Sequence, residues 1–313
     1  MLYQHVIKEK DYTADVFSTK GNMLKRVWLL VKLIWVSRRY DVLHIHGCSE
    51  WGMLPVVYGV IAGKIWSKRI IVTYHGGGAE EYFAMHGAFA RKWLGYADKV
   101  IVLNGYLEKV FGEYNIPCVV IPNIILLPDI QRTHKWDPKV PRFISVRHLR
   151  ELYNIPCILR AFRQVQQQIP EANLTILGSG PLLEELQQYV QNHDLKHVTF
   201  VGQVPNHEMN KYLAEHDIFL SAPRVDNMPV SVLEAMNAGV LVISSRVGGV
   251  PYLIEDGRTG LLFECDDDKQ MAQQMLWANE HLENAHRIIE AAHKEVKKYN
   301  WTEVRKQLLP LYD

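Results

Sequence analysis

Residues 221–239 read SAPRVDNMPVSVLEAMNAG, and this stretch decides the fold. It follows a strand-like apolar run and leads into a helix that is expected to start near Pro229. A proline in a first helical turn costs nothing, because the N–H it lacks would be unpaired there anyway. The remaining free N–H groups of the turn formed by Asn227, Met228, Pro229 and Val230, none of them from the proline, join the positive end of the helix dipole in a site suited to a diphosphate. Asp226 stands before the turn and Glu234 stands within the helix. Both can accept hydrogen bonds from sugar hydroxyls, so the pattern binds a nucleotide sugar at three places.

Working outward, short β-branched runs alternate with helical patterns through most of the chain, which predicts parallel strands joined by crossover helices and places the protein in the α/β class. Strands are expected near residues 42–46, 70–73, 100–103 and 119–121, and then near 143–146, 174–177, 198–201, 218–220 and 241–244. Between the two sets, residues 128–141 are polar, hold three prolines and show no periodicity, as an interdomain linker does. At 313 residues the chain exceeds what one hydrophobic core usually supports. The expectation is therefore two domains, 1–135 and 136–313, with helical residues 267–309 packing back on one or both.

Further motifs flank the opening stretch. Leu177-Gly178-Ser179-Gly180-Pro181 follows a strand and opens a helix, and Phe200-Val201-Gly202-Gln203 closes the next strand. Residues 247–260, VGGVPYLIEDGRTG, come after them. Absent side chains at Gly178 and Gly180 let backbone approach a ligand. Arg147 ends the first strand of the second half, where ligands gather in such sheets. Taken singly, each motif has an ordinary structural explanation.

In this order and spacing they resemble family 4 glycosyltransferases, which have the GT-B fold: two Rossmann-like domains with parallel sheets facing a central cleft. The family signature is two glutamates separated by seven residues, and here Asp226 takes the first place. The resemblance implies that Asp226 contacts the transferred sugar and Glu234 the nucleotide ribose, with Gly178, Gly180 and Pro181 beneath the nucleotide and Val201 and Gly202 at the base. It also implies that Arg147 and a lysine about five residues later neutralise the donor diphosphate. Tyr153 falls near the place of that lysine, and Arg150 is the candidate substitute.

In the first half, Thr73-Tyr74-His75-Gly76-Gly77-Gly78 ends a strand with a histidine and three glycines. His75 and Gly76 can therefore meet a ligand at a strand end, and the family has a histidine in the matching loop, near the anomeric carbon. His44 and His46 share one face of a strand with Cys48 nearby, a pattern that suits either a metal site or the family's ordinary Asp-x-x-His-x-His strand; no fourth ligand is spaced for a metal, and none is expected. Asn123 matches the end of the family's first domain. Residues 14–18 look like its second strand, so the usual opening strand and its glycine-rich loop appear without a counterpart.

The formal net charge of +1 steers no nucleic acid. Four separated cysteines, with no C-x-x-C pair, fit reduced thiols in a cytoplasmic protein. No basic start with an apolar run suggests a signal peptide, and Lys32 interrupts the longest apolar stretch well short of a membrane span. The stretch 23–40, from Met23 to Tyr40, combines Lys25, Lys32, Arg38 and Arg39 with Trp28 and Trp35. Burial against the first sheet is its ordinary reading; the alternative is a peripheral patch on the inner face of a membrane, near a lipid-linked acceptor.

The resemblance implies transfer of a hexose from a nucleotide diphosphate sugar to a hydroxyl of a glycan or lipid-linked glycan, with retention of configuration and without metal or cofactor. The alternatives are a nucleotide-sugar epimerase on the same scaffold and a non-catalytic nucleotide-sugar-binding protein. A dinucleotide-dependent oxidoreductase is disfavoured, since Gly178-Ser179-Gly180-Pro181 lacks the third glycine and the spaced acid.

Overall fold

A computed structural model describes residues 5, 6, 8, 9, 12–18 and 23–313, with backbone alone for 23–27. It divides into two compact units, Met1–Ile124 with Tyr299–Asp313, and Ile125–Lys298. The division differs from the one drawn at the linker in two respects. The second unit begins at Ile125, because residues 128–139 strap onto it: Asn237 donates to the carbonyl of Pro128, Arg132 pairs with Asp217, and Asn279 donates to the carbonyl of Pro138. The last fifteen residues pack with the first unit because Val304 and Leu308 are buried against Ile71, Ile101 and Ile121.

In the first unit, strands β1 (Val42–Gly47), β2 (Arg69–Tyr74), β3 (Lys99–Val102) and β4 (Val119–Val120) form a parallel sheet in that order. Alternation sorts their side chains. Ile45, Ile70, Val72, Tyr74, Val100 and Val102 enter a core shared with residues of the helices Leu54–Ile65, Ala79–Leu94 and Gly105–Glu113. The opposite set includes His44, His46, Thr73, Ile71 and Ile101, and helix Trp301–Leu308 covers its apolar part. Residues 14–18 form no strand.

The second unit carries six parallel strands: β5 (Arg142–Val146), β6 (Asn173–Leu177), β7 (Val198–Gly202), β8 (Ile218–Ser221), β9 (Leu241–Ser245) and β10 (Leu261–Phe263). Their order across the sheet is β10-β9-β8-β5-β6-β7. This is the doubly wound arrangement, in which the chain reverses its direction of winding between β5 and β8 and leaves a crevice at their carboxyl ends. The sequence reading lacked β10, whose three residues are too few to show a period. Helix Ile155–Gln168 buries one apolar stripe, Ile155, Ile158, Leu159, Phe162 and Val165, in the main core. Both units match the expected parallel α/β architecture of the GT-B type.

Candidate active site

The crevice between β5 and β8 brings together residues far apart in sequence. Arg147 follows β5, Asp226 follows β8, and Arg147 Nη2 donates to Asp226 Oδ2 at 2.7 Å. The pair is largely buried, with 14% and 15% of the two side chains exposed. The guanidinium lies over the Tyr153 ring, 5.1 Å from its centroid, a cation–π placement that holds its plane. Arg147 Nε is buried and meets no acceptor among the described residues. A guanidinium offers five N–H donors, and only Nη2 is engaged by Asp226.

The loop carrying Asp226 is fastened from three sides. Arg224 donates its backbone N–H to the Leu152 carbonyl at 2.9 Å, and its side chain pairs with Asp266, which also accepts from Asn154 Nδ2 at 2.7 Å. Those bonds hold the Asp266 carboxyl below its usual range. Gly249 N–H donates to the Asp226 carbonyl at 3.1 Å. At Gly248, where φ is +48°, a Cβ would lie 2.2 Å from the same carbonyl oxygen, so only glycine allows this approach.

Past the loop, Asp226 Oδ1 accepts from the backbone N–H of Asn227 at 2.8 Å. Pro229 is the N-cap, with φ −66° and ψ 110°, and the helix runs Val230–Asn237. A helix start leaves its first N–H groups without intrahelical acceptors, and the buried Ser231 hydroxyl beside them also lacks a partner among the described residues. Asn227 and Met228 are buried in the turn. Glu234 is half-buried on the helix; desolvation raises its carboxyl above the usual range, and nearby Arg147 opposes that shift.

The glycine turns sit against this pair. Gly178, at φ +132°, would place a Cβ 1.9 Å from the Arg147 carbonyl oxygen, and Gly180 would meet the Leu149 carbonyl oxygen at 2.3 Å. Hydrogen bonds from Arg147 N–H to Leu177, from Leu149 N–H to Ser179 and from Gly178 N–H to Gly202 lock the turns together. Pro181 opens outward, and Val201 is half-buried beside Gly202. Arg150 is exposed, and its side chain makes no hydrogen bond or ion pair with other described residues.

His75, Gly76 and Asn123 belong to the first unit. The His75 N–H donates to the Gly47 carbonyl at 2.8 Å, which extends the β1–β2 ladder by one step. His44, His46, Thr73 and His75 line a cavity of about 220 Å³ with Asn123, Ile101, Leu103 and Ile121. Burial lowers His75 to about 4 and His44 to about 3. Among the described residues no group of three or more histidine, cysteine or acidic side chains is arranged to hold a metal. Both ring nitrogens of His44 are engaged, Nδ1 with the Tyr312 hydroxyl and Nε2 with Thr73 Oγ1, each at 2.7 Å.

Sequence reasoning singled out Arg147, Asp226 and Glu234, and named Tyr153 only as standing in a lysine's place, but missed Asn154, Arg224, Asp266 and Gly248, which hold the loop. Gly248 had a visible signal in the paired glycines of 247–260. The others carried none, because their partners lie up to 112 positions away.

A doubly wound sheet with an arginine, two acids and a helix start at its switch point is the arrangement expected from the resemblance to GT-B glycosyltransferases. The family described as "Glycosyl transferases group 1" matches residues 128–295, and "Glycosyltransferase Family 4" matches residues 5–127. The chain belongs to this glycosyltransferase family. It is 31% identical over 233 residues to the GDP-mannose-dependent alpha-(1-6)-phosphatidylinositol monomannoside mannosyltransferase of Mycolicibacterium smegmatis, a match that covers 67% of this chain and 60% of that protein. It is 27% identical to the sulfoquinovosyl transferase SQD2 of Arabidopsis thaliana, over 54% of this chain and 32% of that one. The chain thus spans between 32% and 60% of the length of these two relatives. Among solved structures, Anabaena Alr3699/HepE in complex with UDP and glucose superposes with a TM-score of 0.78 at 16% identity, covering 98% of this chain and 88% of that one.

Proposed function

We propose that this glycosyltransferase moves a hexose from a nucleotide diphosphate sugar to a hydroxyl of a glycan or lipid-linked glycan, with retention of configuration. The observation that carries the reading is the Arg147–Asp226 pair at the strand ends, with Asp226 leading directly into the start of helix Val230–Asn237. Arg147 and the open N–H groups of that helix stabilise the diphosphate as it departs, which is electrostatic catalysis by groups already in place. Asp226 holds the transferred sugar, Glu234 the ribose, and Gly178, Gly180, Val201 and Gly202 the nucleotide. His75 and Gly76 contact the sugar, with His75 uncharged at neutral pH because burial disfavours its cation. Protein cations take the role a metal would have, so a chelator leaves turnover intact. The UDP complex of Alr3699/HepE and the GDP-mannose-dependent mannosyltransferase support a nucleoside diphosphate sugar as donor.

The test is a thermal-shift and product-release screen against a panel of nucleotide sugars, run on the protein and on Glu234→Ala. The expected result is a rise in melting temperature and release of nucleoside diphosphate with one donor, both weakened in the variant. Equal responses from the two proteins would sink the assignment. Consumption of the donor with no acceptor present would favour the epimerase, and stabilisation without turnover the non-catalytic binder.

We also propose that helix Met23–Ser37 rests on an anionic lipid surface. Trp28, Val31 and Trp35 are exposed rather than buried against the sheet, with Lys32 over the Trp28 ring and Arg38 and Arg39 over Trp35. The side chain of Lys25 lies outside the described residues. Interfacial aromatics beside cations suit a headgroup layer. No described helix is long and apolar enough to cross a membrane.

A further inference from the structure

His46 carries no role in the reading above, yet its surroundings are ordered. Its ring stands between two others, 4.8 Å from His44 and 5.0 Å from His75 by centroid, with interplanar angles of 20° and 21°. His44 is pinned at both nitrogens by Tyr312 and Thr73. His46 Nδ1 lies 2.8 Å from His75 Nε2, a hydrogen-bond distance between ring nitrogens.

A neutral imidazole has one N–H and one lone pair. At this contact one ring must therefore donate and the other accept, so each ring's tautomer dictates the other's. His75 follows its strand directly, and its main chain is tied to Gly47; its ring depends on side-chain partners for orientation. His46 uses only His75 Nε2, so His75 Nδ1 is a donor when His46 donates and an acceptor when His75 donates. The tautomer of a functional histidine is set by the bond its other nitrogen makes.

We propose that His46 is a positioning residue that fixes the ring plane and the tautomer of His75 through the Nδ1–Nε2 hydrogen bond. The stack on His44 anchors His46, and through it the C-terminal Tyr312 supports the same ring. This rests on the reading of His75 as a sugar-contacting group, and the experiment separates the two.

The full chain, labelled with ¹⁵N-histidine, is compared with His46→Leu and His46→Asn, His75 being identified by subtraction of a His75→Gln spectrum. Asparagine places an amide one bond from Cγ, where Nδ1 stood, and can donate or accept. In the parent protein the His75 nitrogens show one protonated and one unprotonated signal. In His46→Leu they move to averaged positions, and in His46→Asn they separate again. In donor turnover, His46→Leu lowers kcat by roughly 10- to 100-fold, as loss of an orienting partner does elsewhere, with KM little changed, and His46→Asn recovers most of it. A His75 ring that keeps its separated signals in His46→Leu would overturn the proposal, as would undiminished kcat in that variant. The spectra require no substrate: averaged signals in His46→Leu support the pairing even where the parent shows no turnover, an outcome that refutes the functional reading instead.

Discussion

The two units present opposite chemistry at their strand ends. The crevice of the second unit is built on full charges, with Arg147 paired to Asp226 and Glu234 close by, all part-buried. The corresponding strand ends of the first unit hold three stacked histidines, of which burial keeps His44 and His75 neutral. A fixed cation suits an anion that must be stabilised as it leaves, whereas a neutral donor–acceptor ring suits a hydroxyl and adds no charge of its own. The difference follows from local chemistry: guanidinium stays charged when partly buried, while imidazole surrenders its proton at modest desolvation.

The comparison breaks most directly at Asp217, a fully buried acid that is structural rather than catalytic. Its carboxylate accepts from Arg132 at 2.9 Å, from His134 at 2.8 Å and from the Arg142 N–H at 3.0 Å. Asp217→Asn leaves the Arg132 guanidinium without its counter-charge, and stability measured by urea unfolding is expected to fall by about 3–5 kcal/mol. Next comes Arg147→Ala, which is expected to lower kcat for donor turnover by about 10²–10³-fold, with little recovery in Arg147→Lys because an ammonium lacks the planar fork. Undiminished turnover in Arg147→Ala would remove the charged half of the contrast.

The neutral half is sharpened by pH. His44 titrates near 3 in the folded chain against an ordinary 6.5, so the unfolded chain binds more protons between those values. The stabilising effect is complete above pH 6.5 and is lost as pH falls toward 3. Between pH 6.5 and 5 the loss is roughly 2 kcal/mol, visible as a falling melting temperature. In His44→Gln that part of the slope disappears, and a slope identical to the parent's would show that His44 is not the group responsible. The smallest effect concerns the lipid face: Trp35→Ala is expected to weaken sedimentation with phosphatidylglycerol vesicles by about tenfold, near 1.4 kcal/mol. Neither protein is expected to sediment with phosphatidylcholine.

Much of the candidate site was legible because its parts are local. The strand–turn–helix at 218–237 announces a helix start with an acid on each side, and the glycines at 178 and 180 stand where backbone must pass close to Arg147 and Leu149. Helix Met23–Ser37 buries Leu29 but turns Trp28, Val31 and Trp35 outward, since periodicity marks an apolar face without naming what covers it. The histidine pair was legible as a strand motif but not as a hydrogen bond, because β1 and β2 are joined through an intervening helix and meet only in the sheet.

By itself the sequence determined the class of fold, the order of the parallel strands along the chain, and the strand–turn–helix at 218–237, since each is encoded in spacing over a few residues. Only the tertiary structure decided that Arg147 locks to Asp226 across 79 positions, that the final helix joins the first unit, and that His46 meets His75. Such contacts depend on strand order and register, which arise from packing whole elements together and leave no local trace.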